Sequence, residues 1–173
     1  MNVLTTARLS LDLSTPADLE DMLRLLGDPR VMEFYPDPLD RDGAAAWLLR
    51  NRERYERYGY GIWSAHLLGS GEFAGLLGLS PMRLSGREET ALAYLLLPEF
   101  WGHGLATEGA IACRDYALHR LGLVRLVSPV RPENSRSVRV IERVGFKAHG
   151  RCLLAGFEHT VYVYGESGEP FCP

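Results

Sequence analysis

Apolar and polar residues alternate over residues 8–14, with Leu9, Leu11 and Leu13 on one side and Arg8, Ser10 and Asp12 on the other, the period of a half-buried strand. The period then lengthens. Thr15-Pro16-Ala17-Asp18 opens a helix, with Thr15 placed to accept from the first turn, Pro16 where a missing N–H costs nothing, and Asp18 facing the positive helix end. Leu19, Met22, Leu23 and Leu26 recur at helical spacing until Gly27-Asp28-Pro29 stops them. Pro36 and Pro38 force an extended link, after which Asp40 or Asp42 starts a second helix running through Trp47, Leu48 and Tyr55 to about residue 58. From Gly61 the period returns to two. Residues 62–68, 72–80 and 89–97 read as three antiparallel strands, joined by turns at Gly69-Ser70-Gly71 and Ser85-Gly86. A helix over 107–121, a buried strand over 124–130, a helix over 135–144 and a strand pair over 146–154 and 157–164 complete the pattern.

The order β-α-α-β-β-β-α-β-α-β-β predicts an α/β domain of the α+β type on one mixed, mostly antiparallel sheet. At 173 residues, with 46% hydrophobic and 24% charged side chains, the chain fits one domain over 1–165 and a flexible tail over 166–173. No apolar run approaches the roughly 18 residues of a membrane span, and the start lacks the basic and apolar regions of a signal peptide, so a cytoplasmic chain is expected. A net charge of −3 gives no field that would draw the molecule to nucleic acid. Its 3 cysteines form no CxxC and its 5 histidines no HxH or HExxH, so neither a disulfide framework nor a metal site is indicated. A homodimer is compatible with the sequence, though no stripe argues for one.

The chemistry concentrates in Leu95-Leu96-Leu97-Pro98-Glu99-Phe100-Trp101-Gly102-His103-Gly104-Leu105-Ala106-Thr107-Glu108. Here a strand runs into a glycine loop that opens directly onto a helix. Successive backbone N–H groups then point into one concavity with the positive end of the helix dipole behind them, which makes an anion site. A kinase-type loop would need Gly-Lys-Ser/Thr, and the single lysine, Lys147, lies elsewhere. A dinucleotide fingerprint would need a third glycine where Thr107 stands.

Trp101-Gly102-His103-Gly104-Leu105-Ala106-Thr107-Glu108 resembles the pyrophosphate loop of the GNAT superfamily of acyl-CoA N-acyltransferases, in the form seen in its RimJ/RimL-like branch of ribosomal-protein N-acetyltransferases. Trp101 stands where the superfamily signature has Arg or Gln. Asn134-Ser135-Arg136-Ser137 through Gly145-Phe146 resembles a second motif of that branch, and the opening Arg8-Leu9-Ser10-Leu11 and Thr15-Pro16-Ala17-Asp18-Leu19 are similar too. The resemblance covers residues 3–164. It implies a GNAT-like sheet with helices on both faces, and acetyl-CoA as co-substrate in a cleft where the fourth and fifth of the expected strands splay apart. Main-chain groups of Leu95, Leu96 and Leu97 would hold the pantetheine arm as an added strand would. Amides of Gly102, His103, Gly104, Leu105, Ala106 and Thr107 would hold the pyrophosphate, and Asn134 would touch the pantetheine or phosphate region.

An amine attacks a thioester only when neutral, and the departing thiolate benefits from a proton. Many superfamily members supply that proton from a tyrosine on the last helix, whose slot holds Ile141. The branch offers a serine instead, matched by Ser137, which as a helix-start serine would otherwise satisfy backbone donors. Asn134 reads equally as a helix cap. Candidates for the base are Glu33 and Asp37, bordering the acceptor cleft, and Glu89, entering the fourth strand; each reads also as a solvated carboxylate. Arg136, Arg139 and Arg143 form a basic stripe near the expected cofactor, with Arg139 the candidate phosphate ligand and a solvated helix face the other reading. Tyr94, Phe100 and Trp101 are expected to pack rather than recognise substrate. The acceptor, a peptide N-terminus or a small amine, would sit between segments 34–41 and 151–159. A non-catalytic acyl-CoA sensor, or another phosphate-ligand protein on the same loop, are the competing functions.

Overall fold

The computed structural model describes residues 1–166. Strands β1 (Asn2–Thr5), β2 (Leu9–Asp12), β3 (Ile62–Leu67), β4 (Phe73–Leu84), β5 (Arg87–Leu96), β6 (Arg125–Val130), β7 (Lys147–Leu154) and β8 (Phe157–Gly165) form one 8-stranded sheet in the order β1-β2-β3-β4-β5-β6-β8-β7. Every neighbouring pair is antiparallel except β5 with β6. That parallel pair is joined at a single register position, Ala91 to Val127. Beyond it the two strands part, and Pro129, with no N–H to give a ladder, stands in β6 just past the last joined residue. The sheet is therefore open along its middle, where the resemblance implies that the fourth and fifth expected strands splay.

Helices α1 (Leu19–Leu26) and α2 (Arg41–Tyr58) cover one face, and α3 (Leu105–His119) and α4 (Ser135–Arg143) the other. Alternation along the central strands makes both faces apolar. Ile62 and Leu76 pack with Met22, Leu25 and Leu48, whereas Trp63, Leu77 and Leu79 pack with Ala110, Cys113 and Ile141. Gly109 of α3 sits so close to the sheet that a Cβ there would meet Leu77 at 2.5 Å. No helix among the described residues is long and apolar enough to cross a membrane.

Three local expectations are corrected. Residues 2–5, read as no element, form β1 and pair with β2. The strand expected to end at Ser80 continues through Pro81 to Leu84. The helix expected from 107 starts at Leu105. At the first helical turn Thr15 and Asp18 form a reciprocal capping box, in which the Asp18 carboxylate accepts from the Thr15 N–H at 2.6 Å. The tail expected over 166–173 lies, beyond Glu166, outside the described residues.

Candidate active site

Two cavities meet in the gap between β5 and β6. The first, about 370 Å³, lies between the end of β5, the glycine loop and α4; the second, about 350 Å³, opens on the opposite side toward β4, the β7–β8 hairpin and the 34–36 link. Phe34, Tyr35, Tyr94, Asn134 and Ser137 line both, so they surround the passage between them.

The glycine loop takes the shape an anion site needs. Gly102 and Gly104 adopt φ of +80° and +77°, the left-handed region in which a side chain is strained. Gly104 is the N-cap of α3, and Gly102, Gly104, Leu105, Ala106 and Thr107 all line the first cavity. His103 does not line it; its carbonyl accepts from the Arg8 guanidinium at 3.0 Å while its side chain stays exposed. Arg8 also reaches Glu108 at 2.7 Å, and Glu108 accepts from the Thr6 hydroxyl at 2.6 Å, so the start of the chain braces the first turn of α3. Burial alone would raise the Glu108 pKa, but the hydrogen bonds from Thr6 and Arg8 outweigh it and hold the carboxyl below the usual range.

Trp101 gives its indole N–H to the Leu96 carbonyl at 2.7 Å, tying loop to strand, and its ring carries the Arg136 guanidinium at 4.2 Å. Leu95 and Leu96 line the first cavity, but Leu97 does not: its amide donates to Ala74 at 3.0 Å and its side chain is buried. That corrects its expected role. Because adjacent strand amides point to opposite sides, the Leu96 N–H faces away from β4 and into the gap.

On α4 the whole basic stripe serves the cavity. Arg136, Arg139 and Arg143 line it together with Arg30, and all three are exposed, as the solvated-face reading also expects. Asn134 caps the helix, as one reading of it expects, accepting from the Ser137 N–H at 3.0 Å, and it lines both cavities. The Ser137 hydroxyl lies 2.8 Å from the Tyr94 hydroxyl, which also donates to the Ser137 carbonyl at 3.0 Å. Burial pushes the Tyr94 pKa well above the usual tyrosine value, against the hydrogen bond from Ser137 that lowers it. Ile141 faces the core, fully buried, and not the cleft.

The carboxylate candidates are placed elsewhere. Glu89 pairs with Arg125 at 3.2 Å and Glu33 with Arg136 at 2.9 Å, and neither lines a cavity. Asp37 lines neither as well. Tyr94, Arg30 and Arg131 are the site residues that sequence reasoning missed. For Tyr94 the signal was present, since it alternates with Leu95 on the strand entering the loop, but an aromatic there reads as packing.

Comparisons with known proteins follow the same lines. A family model described as acetyltransferase (GNAT) domain matches residues 8–147. Over 162 residues the chain is 30% identical to the uncharacterized protein YkkB of Bacillus subtilis (strain 168), spanning 93% of each. The crystal structure of the acetyltransferase from Agrobacterium tumefaciens str. C58 superposes with a TM-score of 0.83 at 28% identity, over 96% of this chain and 95% of that one. RimL, a ribosomal L7/L12 alpha-N-protein acetyltransferase solved in complex with coenzyme A, shares the fold at a TM-score of 0.77 and 17% identity, over 98% of this chain and 100% of its own.

Proposed function

Because the chain belongs to the GNAT acetyltransferase family, as the match over residues 8–147 shows, we propose that it acetylates an α-amino group, of a peptide or of a small molecule, by direct attack with both substrates bound. Acetyl-CoA is the co-substrate of this family, and its thioester supplies the activated acetyl group. The residues present suit it. Gly102, Gly104, Leu105, Ala106 and Thr107, at the start of α3, line the first cavity, and four arginines line it too and can receive phosphates. Leu95 and Leu96 offer a strand edge in the gap for the pantetheine arm.

The observation that carries this reading is the junction of two cavities at Tyr94, Asn134 and Ser137, which gives a cofactor side, an acceptor side and polar groups between. The Leu96 N–H is the donor for negative charge developing at the attacked carbonyl. Ser137 gives its proton toward the departing sulfur, and the Tyr94 hydroxyl 2.8 Å behind it restores that proton. The proton released by the amine closes the balance. Among the described residues no Asp or Glu lines either cavity, so they do little to deprotonate a strongly basic amine. The α-amino group of a peptide, with a pKa of roughly 8 against about 10.4 for a lysine-type amine, already has a useful neutral fraction near pH 7.5.

The test measures thiol release from acetyl-CoA against a panel of peptides, amino acids, their amides and polyamines, beside the melting temperature with and without acetyl-CoA. Amine-dependent release together with thermal stabilisation is expected. Stabilisation without release from any amine would overturn the transfer reading and leave a binding module.

A further inference from the structure

Resting on that reading, we infer that the acceptor is a primary amine whose molecule also carries a carboxylate, and that Arg131 recognises it. The second cavity, where the acceptor enters, has walls of Phe34, Tyr35, Met82, Leu154 and Phe157, and an arginine, Arg131, reaching in from the β6–α4 connection. Arg131 is the one Arg, Lys, Asp or Glu among the described residues that line this cavity. An amine bearing further positive charge would meet a cation whose paired acid, Glu133, lies outside the cavity lining. A carboxylate would meet a guanidinium fork of matching geometry.

The guanidinium is held for that purpose. It lies 4.2 Å from the centre of the Phe157 ring and 5.9 Å from that of Phe34, so two aromatic walls fix its plane. Its side chain is 20% exposed, and the nearest acid, Glu133, stands off at 3.5 Å from Nε and is itself 64% exposed. That distance is too long for a hydrogen bond, and Nε has no hydrogen-bond partner among the described residues. A cation this enclosed and this loosely paired on a ligand-sized cavity favours an anion. The cavity, at about 350 Å³, is of small-ligand size. Two sources share the chemistry: a free α-amino acid, and a peptide whose first residue is acidic.

The experiment compares isosteric pairs, each acid against its amide: methionine with methioninamide, and a short amidated peptide beginning with Asp against the same peptide beginning with Asn. Spermidine serves as a cationic control. Native protein should show a kcat/KM at least about tenfold higher for the acid of one pair, and that pair names the source. Arg131→Gln should bring the ratio near one, Arg131→Lys should restore part of it, and Arg131→Glu should invert it. Loss of packing on Phe157 would instead lower acid and amide together and leave the ratio unchanged. The acetyl-CoA melting shift of each variant verifies that it folds. Amides or spermidine preferred by the native protein, or a preference that survives Arg131→Gln, would overturn the inference while leaving acetyl transfer intact. Silence toward every amine would overturn both.

Discussion

At the scale of single residues, the site depends on Ser137 doing one thing with its backbone and another with its side chain. The helix cap from Asn134 goes to the Ser137 N–H, not to its hydroxyl. Ser137→Ala therefore keeps the start of α4 and removes only the group next to Tyr94. We expect kcat to fall about 10- to 100-fold, with KM for acetyl-CoA changed less than about threefold and the melting temperature nearly unchanged. A parallel rise in KM and fall in stability would assign Ser137 to structure alone. Burial holds the Tyr94 hydroxyl protonated beyond its ordinary range, so its ionisation should not cut activity on the alkaline side. In the native enzyme kcat/KM should rise with pH as the amine loses its proton and stay level to about pH 10, the usual tyrosine value. The glycines make a separate test. A Cβ on Gly102 would meet nothing within 4 Å, so its φ of +80° is the whole reason for glycine in the free protein. Gly102→Ala should cost about 1–2 kcal/mol, read as a fall in melting temperature, and raise KM for acetyl-CoA as the loop leaves the shape that aims its amides. An unchanged KM would mean that the loop does not hold the phosphates.

The elements show where pattern reading succeeds and where it stops. Period-two alternation and glycine turns placed β3, β5, β7 and β8 nearly to the residue, because each buries at least one face against a helix layer or a neighbouring strand. Strand β1 escaped because Asn2 and Thr5 are exposed and only Val3 and Leu4 are half-buried, leaving no alternation to read. Pro81 concealed the length of β4. A proline reads as a strand break, yet β3 pairs with β4 only as far as Gly78 and the last bond on that side is from the Leu79 N–H to Gly61, so at Pro81 a residue without an N–H breaks no ladder. The same limit governs the site: the glycine loop, Asn134 and Ser137 are contiguous motifs, whereas Tyr94 beside Ser137 and Arg131 beside Phe157 are meetings of distant segments. Asn51 is another such meeting. Fully buried in α2, it donates to the Ile62 carbonyl at 2.6 Å and accepts from the Ile62 N–H at 3.0 Å, pinning the helix to the first residue of β3. Asn51→Ala leaves two buried backbone groups without this partner. A loss of about 2–3 kcal/mol in chemical denaturation is expected, and a loss under about 0.5 kcal/mol would show that the pair is dispensable.

For the whole molecule, the decisive feature is a sheet nearly cut in two. Strands β1 to β5 form one ribbon and β6, β8 and β7 another, and between them the register holds at Ala91 and Val127 alone. Helices α3 and α4 span the cut, sharing one apolar cluster with Leu92 and Leu96 from one ribbon and Leu126 and Tyr162 from the other. A ligand lying along the gap touches the first ribbon at Leu95 and Leu96 and, across the gap, the helix that follows β6, at Asn134, Arg139 and Arg143. Its binding energy adds to the hold between the halves, so stabilisation should be global and not confined to the loop. At a concentration 100 times its Kd, acetyl-CoA should add about 2.7 kcal/mol, which for a chain of this size is a rise of roughly 5–10 °C in melting temperature. Hydrogen exchange followed by mass spectrometry should then show slower exchange in two regions far apart in sequence, 94–107 and 134–143, and also in β6 and β8, which the ligand does not need to touch. Protection confined to 102–107 would mean that the coenzyme sits on the glycine loop without entering the gap. Transfer through the junction of the two cavities would then lose its geometric basis, because an acetyl group left on the outer side of Tyr94 and Ser137 could not meet an amine held against Arg131.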